Sequence, residues 1–413
     1  MWQSQYVTAQ HLAGFRHYKY RAVDTNPLSI YVMQPLWDRL VKIVPLWIAP
    51  NLLSFTGFMM ILINYFILSF YDWDYTTSGS SPGFIPTWVW IFCAFATFCA
   101  YALVEDIGPI SVPELTFAGW ESEELGQIVA TRDSIDGKHA RRTHSSTPLG
   151  ELFDHGLDSC TVSMTALSFF SLCSRDNGKV GMSVSTMYLL LCIVLLNFIL
   201  SHWEKYNTGV LFLPWVIDIS HMVSTCTYLL TAALGMEIWH RPFIFGYYFR
   251  ETLTFLIIVC CIFLSLPQTL YNIHIAYRKK KLLKDSLYEG LLPLLSPVLL
   301  VILLTTWVAL SPCHILEKQT RLFFWMTGVM FSNITCRMII CQMTSTRSEV
   351  LNWLIVPLTL VVYTATAGFL GSLEEPILIA FTFFATAAHV HYGICVLKQL
   401  SQHFNIHIFS LKM

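Results

Sequence analysis

Apolar runs of about 20 residues, long enough to cross a bilayer as helices, recur along this chain and leave it few ways to fold. Ten are present, at 50–71, 87–104, 156–174, 182–202, 214–236, 251–272, 289–310, 321–341, 350–371 and 376–397. Only 12% of the residues are charged, against about a quarter in an ordinary soluble chain. The expected fold class is all-α: a polytopic membrane protein with about ten transmembrane helices and an N-terminal interfacial amphipathic helix.

The first thirty residues lack the basic stretch and apolar core of a signal peptide, so membrane entry is expected to begin with the first span. The twelve cysteines lie mostly inside apolar runs, without paired spacing. They read as packing residues and imply no disulfide framework. The net charge of −1 gives no sign of nucleic-acid binding. With ten spans, the side holding both termini carries 18 Lys and Arg, and the other side six. The positive-inside rule then puts both termini in the cytosol.

Three segments follow: a cytosolic N-terminal segment 1–49, a transmembrane domain 50–397 and a cytosolic tail 398–413. Within the first, "PLWDRLVKIVPLWIAPN" (35–51) sets apolar residues at helical spacing around Arg39 and Lys42. It is expected to be an amphipathic helix on the cytosolic leaflet. The basic "YRKKKLLK" (277–284) fits a cytosolic loop that attracts anionic lipid.

The scarce charge gathers at "DSIDGKHARRTHSSTPLGELFDHGLDS" (133–159), with four aspartates and three cationic side chains. Asp133 and Asp136 share a helix face. Thr147-Pro148 suits the cap and first turn of the next helix. On that helix Gly150, Asp154 and Asp158 form one stripe. Four carboxylates converging at the membrane surface would repel one another, and bound divalent cations remove that cost. All-oxygen ligands suit Mg²⁺ or Mn²⁺, and a pair of such ions suits displacement at phosphorus. Gly137, Ala140 and Gly150 leave room for a nucleotide, and Arg141 offers a planar fork of donors for phosphate. Glu151 and His155, spaced i, i+4, put an imidazole beside the metals with a carboxylate to orient it, as a general base requires. Lys138 and Arg142 read as topology determinants.

The pattern D-x-x-D-G-x-x-A-R-x8-G-x3-D-x3-D is met by Asp133, Asp136, Gly137, Ala140, Arg141, Gly150, Asp154 and Asp158. It resembles the signature of the CDP-alcohol phosphotransferase family. "YKYRAVDTNPLS", "APNLLSFTGF", "LSHWEKYNTGVLFLPW" and "CQMTSTR…LNWLIVPL" extend the resemblance over nearly the whole chain. They look most like the eukaryotic ethanolaminephosphotransferases of the selenoprotein I type.

The resemblance implies that Asp133 and Asp154 bridge two Mg²⁺ ions, that Asp136 and Asp158 each complete one site, and that Arg141 and Asn51 contact the CDP moiety. It also implies that His155 is the proton acceptor, with Glu151 as its partner. The substrates implied are CDP-ethanolamine and 1,2-diacylglycerol, giving phosphatidylethanolamine and CMP. The setting implied is the endoplasmic reticulum membrane or the Golgi membrane, with the active site facing the cytosol and a homodimer as one option.

Two departures stand out. The family's selenocysteine-containing tail is absent, and the chain reads "FSLKM" at its end. The acidic, Pro- and Gly-bearing 104–132 interrupts the join between the second span and the first aspartate, and deleting it would give "CAYALDSIDGKHARR". CDP-choline as donor, dual head-group use, and an isoform impaired by this insertion stay open at this point. So does a non-catalytic metal- or lipid-binding protein. A transporter is disfavoured, because the carboxylates lie at an interfacial end rather than mid-membrane.

Outside the motif, Glu204 in "HWEKYNTG" (202–209) is a candidate for the head-group ammonium, or belongs to a plain interfacial loop. His389 and His391 fall on different helix faces and read as hydrogen-bonded rather than metal-binding. Arg337 within the eighth run needs a partner or a place near the span end.

Overall fold

The computed structural model describes residues 5–18, 21–23, 26–76, 85–104, 134–175, 181–212, 216–284 and 286–411. Its helices are α1 (Ala9–Phe15), α2 (Gln34–Leu40), α3 (Pro50–Tyr71), α4 (Thr87–Val104), α5 (Ile135–Arg142), α6 (Pro148–Cys173), α7 (Val184–Thr208) and α8 (Val216–Leu234). Then come α9 (Phe249–Arg278, with a π-helical middle), α10 (Leu287–Leu310), α11 (Ile315–Lys318), α12 (Thr320–Met343), α13 (Ile355–Thr366) and α14 (Glu374–Phe404). Each of the ten apolar runs overlaps one of these helices, but 350–371 is helical only over Ile355–Thr366, and the expected count of about ten spans is not reached among the described residues. By length and composition, six are fit to cross a membrane: α3, α7, α9, α10, α12 and the stretch Gly371–Phe404 that contains α14. The protein is a helical polytopic membrane protein.

Burial does not follow hydropathy. Helix α12 is the least apolar of the six yet the most buried, whereas α9, among the most apolar, is the least buried. Lipid is as apolar as a leucine side chain, so it solvates the greasiest helices and leaves the centre to those with polar and small residues. Helix α12 supplies buried Ser332, Asn333, Thr335 and Gln342. Gly328 lets it approach α6, since a Cβ there would lie 2.6 Å from Ser163 Oγ.

The amphipathic helix expected over 35–51 is not formed as such. Helix α2 stops at Leu40, and residues 41–49 form turns rather than continuing a helix to 51. Pro45 and Pro50 bias the residues before them away from helix, and Ala49 is extended (φ −73°, ψ 138°). The carbonyls freed in this way hold α5. His139 Nε2 donates to Ile48 O (2.9 Å), and Arg142 Nη1 donates to Val41 O (2.8 Å) and Val44 O (3.0 Å). Lys138 pairs with Asp38. The basic residues of α5 thus fasten it to the N-terminal segment.

That segment docks onto the bundle as well. Gly14 rests on Thr344, where a Cβ would meet the backbone oxygen at 2.3 Å. The backbone amides of Tyr6 and Val7 donate to Gln399 Oε1 at 3.2 and 2.9 Å. Helix α14 runs to Phe404 rather than ending at 397, and Asn405 closes it in a left-handed conformation (φ 54°). All twelve cysteines are free thiols. Arg337 pairs with Glu349 (2.7 Å) and lies over the Tyr392 ring, one and a half turns from the end of α12.

Candidate active site

The site lies where the N-terminal ends of α3, α5 and α6 meet. Thr147 caps α6 with its hydroxyl, which accepts from Gly150 N (3.1 Å), and Pro148 opens the first turn as expected. This fixes the stripe of Gly150, Asp154 and Asp158. Asp154 is buried, Asp158 half-buried. One ligand atom from each of Asp154, His155 and Asp158 lies within 4.8 Å of the others.

Across from them, Ser134 begins α5 in an extended conformation and Asp136 follows in its first turn. Ser54 Oγ of α3 and Ser134 Oγ donate to Asp136, as does Gly137 N at 2.7 Å. Asp136 also comes within hydrogen-bonding reach of Asp154. Burial pushes the Asp136 carboxyl up from the usual carboxylate range, against the pull of these donors. Buried Asp136 and Asp154, with Asp158 one turn from Asp154, form an oxygen-donor set fitted to a hard divalent cation. Asp133 and the 104–132 insertion, apart from Val104 at the end of α4, lie outside the described residues.

Asn51 and Gly150 face each other: a Cβ on Gly150 would sit 3.1 Å from Asn51 Oδ1. The other end of that amide is held from an unexpected direction. Asn51 Nδ2 donates to Ile408 O (2.9 Å), and Phe409 packs between Phe55 and Phe153, with ring centroids 5.6 and 5.7 Å away. Gly137, Ala140 and Arg141 are half-buried on α5.

Glu151 and His155 are close but not hydrogen-bonded, with Glu151 Oε1 3.8 Å from His155 Nε2. On the other side of the imidazole, Asp158 Oδ2 is 3.6 Å from Nδ1. The same Glu151 oxygen accepts from the Tyr18 hydroxyl and from Lys205 Nζ (2.9 Å). His202 stands edge-on to His155 at 5.5 Å and pairs through Nδ1 with Gln342 (3.2 Å). Sequence reasoning missed Tyr18, Lys205 and His202. Lys205 and His202 sit in "LSHWEKYNTG", where a polar cluster ending an apolar run was the available signal. Tyr18 opens "YKYRAVDTNPLS", one of the stretches that carry the resemblance, but nothing in it points to Glu151.

Glu204 was a candidate for the head group. It is buried and accepts from Asn272 Nδ2 (2.7 Å), so it ties α7 to α9. Its neighbours are structural too: Trp203 Nε1 donates to Gly290 O (2.7 Å), and Tyr206 OH accepts from Ser348 N (3.1 Å). His389 approaches Cys160, whereas His391 meets Tyr6 OH (3.1 Å); the two share no partner among the contacts described.

Residues 125–262, which span the motif, match the model of the CDP-alcohol phosphatidyltransferase family. Over 408 residues, 99% of this chain and 95% of the relative, the chain is 45% identical to ethanolaminephosphotransferase 1 of Homo sapiens. The mouse protein of the same name matches equally, at 45% over 409 residues, with 99% and 95% covered. Choline/ethanolaminephosphotransferase 2 of Arabidopsis thaliana is 26% identical over 427 residues, with 98% of each chain covered.

Proposed function

The chain belongs to the CDP-alcohol phosphatidyltransferase family, and on that premise we propose that it transfers phosphoethanolamine from CDP-ethanolamine to 1,2-diacylglycerol, giving phosphatidylethanolamine and CMP. The observation that carries the reading is the cluster of Asp154, His155 and Asp158, one ligand atom of each lying within 4.8 Å of the others, with Asp136 buried at the start of α5. The 45% identity to the human ethanolaminephosphotransferase supports ethanolamine as the head group.

Asp136, Asp154 and Asp158, with Asp133, are the residues that would hold two Mg²⁺ or Mn²⁺ ions. Such ions would supply charge stabilisation on the pyrophosphate oxygens. Asn51, Gly137, Ala140, Arg141 and Gly150 bind and orient the nucleotide. His155 accepts the proton of the glycerol hydroxyl. The oxygen so freed attacks the β-phosphorus, and the bond to the bridging oxygen breaks to release CMP. The imidazolium that results lies between two carboxylates, Glu151 3.8 Å from Nε2 and Asp158 3.6 Å from Nδ1. A lipid acceptor accounts for a site built at the ends of membrane-fit helices.

With all ten apolar helices taken as spans, the charge bias puts this end of the bundle in the cytosol, where CDP-ethanolamine is available, and the endoplasmic reticulum or the Golgi is the expected membrane. The N-terminal segment 1–49 and the tail from 398 then share that side, at the two ends of the transmembrane domain 50–397.

The test is an assay of the purified protein with diacylglycerol and either CDP-ethanolamine or CDP-choline, on the full chain and on one lacking 104–132. Transfer from CDP-ethanolamine is expected, and faster without the segment, which separates the second span from Asp133. Equal use of CDP-choline would make the enzyme dual, and no transfer by either form would refute the reading. Equal rates with and without 104–132 would show that continuity of the second span does not position the metals.

A further inference from the structure

We propose that Lys205, with Tyr18 beside it, is a positioning residue for the transfer: the two hold the Glu151 carboxylate at its place against His155. The inference rests on the reading of His155 as the base. Glu151 is too far from His155, at 3.8 Å, to be fixed by a hydrogen bond to it. Its position is set from the other side, by two donors to one oxygen. Lys205 Nζ reaches Oε1 at 2.9 Å, and the Tyr18 hydroxyl reaches the same atom.

The three groups come from separate parts of the chain: Tyr18 from the N-terminal segment, Glu151 from the first turn of α6 and Lys205 from the last turn of α7. The Lys205 side chain is 2% exposed and that of Glu151 9%, so neither charge can turn to water. A buried ammonium without a carboxylate would be strongly disfavoured, and the pair therefore stays closed. The Tyr18 ring lies 5.7 Å from Nζ and fills the remaining side. Without Glu151 between them, the Lys205 charge would oppose the imidazolium that forms on His155. With it, the carboxylate is pinned where that imidazolium gains from it. His202, edge-on to His155 and tied to Gln342, limits movement of the imidazole.

The experiment is a double-mutant cycle on the full chain with Mg²⁺. Lys205→Met, Lys205→Arg and Tyr18→Phe are made alone and combined with Glu151→Gln. The readouts are kcat, KM for CDP-ethanolamine, CMP binding and the melting temperature in detergent. A general base contributes about 10²–10⁴-fold, so losing its fixed partner in Lys205→Met should lower kcat at least roughly tenfold, with KM and CMP binding nearly unchanged. Lys205→Arg should recover most of that rate. In the Glu151→Gln background the Lys205 and Tyr18 changes should cost little more, because residues acting through one partner are not additive.

Full additivity with Glu151→Gln, a loss confined to KM, or an unchanged kcat in Lys205→Met would overturn the proposal. Should Lys205→Met fail to melt cooperatively, Tyr18→Phe carries the same cycle with less disturbance, and full additivity with Glu151→Gln there would overturn the proposal. A Glu151→Gln variant of normal rate would instead remove the premise that Glu151 assists His155, and the proposal with it.

Discussion

Replacing Gly150 with alanine should separate binding from stability in this protein. The new Cβ would lie 3.1 Å from Asn51 Oδ1 and 3.6 Å from Thr147 Oγ1. The second distance is an ordinary contact; the first is short by a few tenths of an ångström. Asn51 cannot swing away freely, because its Nδ2 is bound to Ile408 O at 2.9 Å. Moving the amide would stretch that bond toward the long end of the usual range, about 3.2 Å. The cost is at most that of one neutral hydrogen bond, about 0.5–1.5 kcal/mol.

Against it stands the helix gain of alanine over glycine, up to about 1 kcal/mol. The two nearly cancel, so the melting temperature should move by no more than about 4 °C. Nucleotide binding has no such compensation. A displaced Asn51 and a filled Gly150 surface forfeit a hydrogen bond to a charged ligand, worth about 1.5–3 kcal/mol, which raises KM for CDP-ethanolamine at least roughly tenfold. The assay is initial-rate kinetics with diacylglycerol saturating, beside a thermal melt of the same preparation. Gly156→Ala is the control, since its Cβ would meet Cys336 Sγ at a comfortable 3.8 Å. A Gly150→Ala enzyme with unchanged KM would show that the wall formed by Asn51 and Gly150 does not face the nucleotide.

Asp154→Asn should abolish turnover while the protein still melts cooperatively; near-normal rates at saturating Mg²⁺ would remove the shared-ligand role. His155→Ala should lower kcat by about 10²–10⁴-fold and leave CMP binding intact, as isothermal titration would report; parallel loss of binding would make His155 a ligand or a structural residue. Burial raises the Asp136 pKa in the metal-free fold, so its contribution to stability is present at low pH and is lost as pH rises through the raised value. Mg²⁺ needs the ionised carboxylate, so the rise in melting temperature on adding Mg²⁺ should be larger near about pH 7.5 than near about pH 5.5, and equal shifts would disprove the linkage.

Local sequence carried a good part of this. Most apolar runs are helical because a run in lipid must satisfy its own backbone, which makes it legible without its neighbours; 350–371 departs from this, helical only over Ile355–Thr366. The stripe of Gly150, Asp154 and Asp158 and the Thr147 cap followed from helical spacing alone. The apolar period over 35–51 does not make a helix of that length, because Pro45 and Pro50 break it. The partners of Glu151 were not legible at all. Tyr18 lies 133 residues away and Lys205 54, and nothing in either neighbourhood points to α6. The acceptor for Asn51 is a backbone carbonyl at Ile408, a group that every residue possesses.

The bonds from Tyr6 and Val7 to Gln399 join residues 393 and 392 apart, and they have a consequence for biosynthesis. At about 5–20 residues per second, a ribosome supplies the second partner on the order of 20–80 s after the first. Through that interval the segment carrying Tyr18 has no α14 to rest on, although the earlier helices can already enter the bilayer. Closing a loop of this length comes late, after shorter contacts have formed. The phosphotransfer end should therefore be the last part of the molecule to mature. A nascent chain arrested before α14 is expected to be inserted and protease-resistant in its membrane part, yet unable to retain CMP.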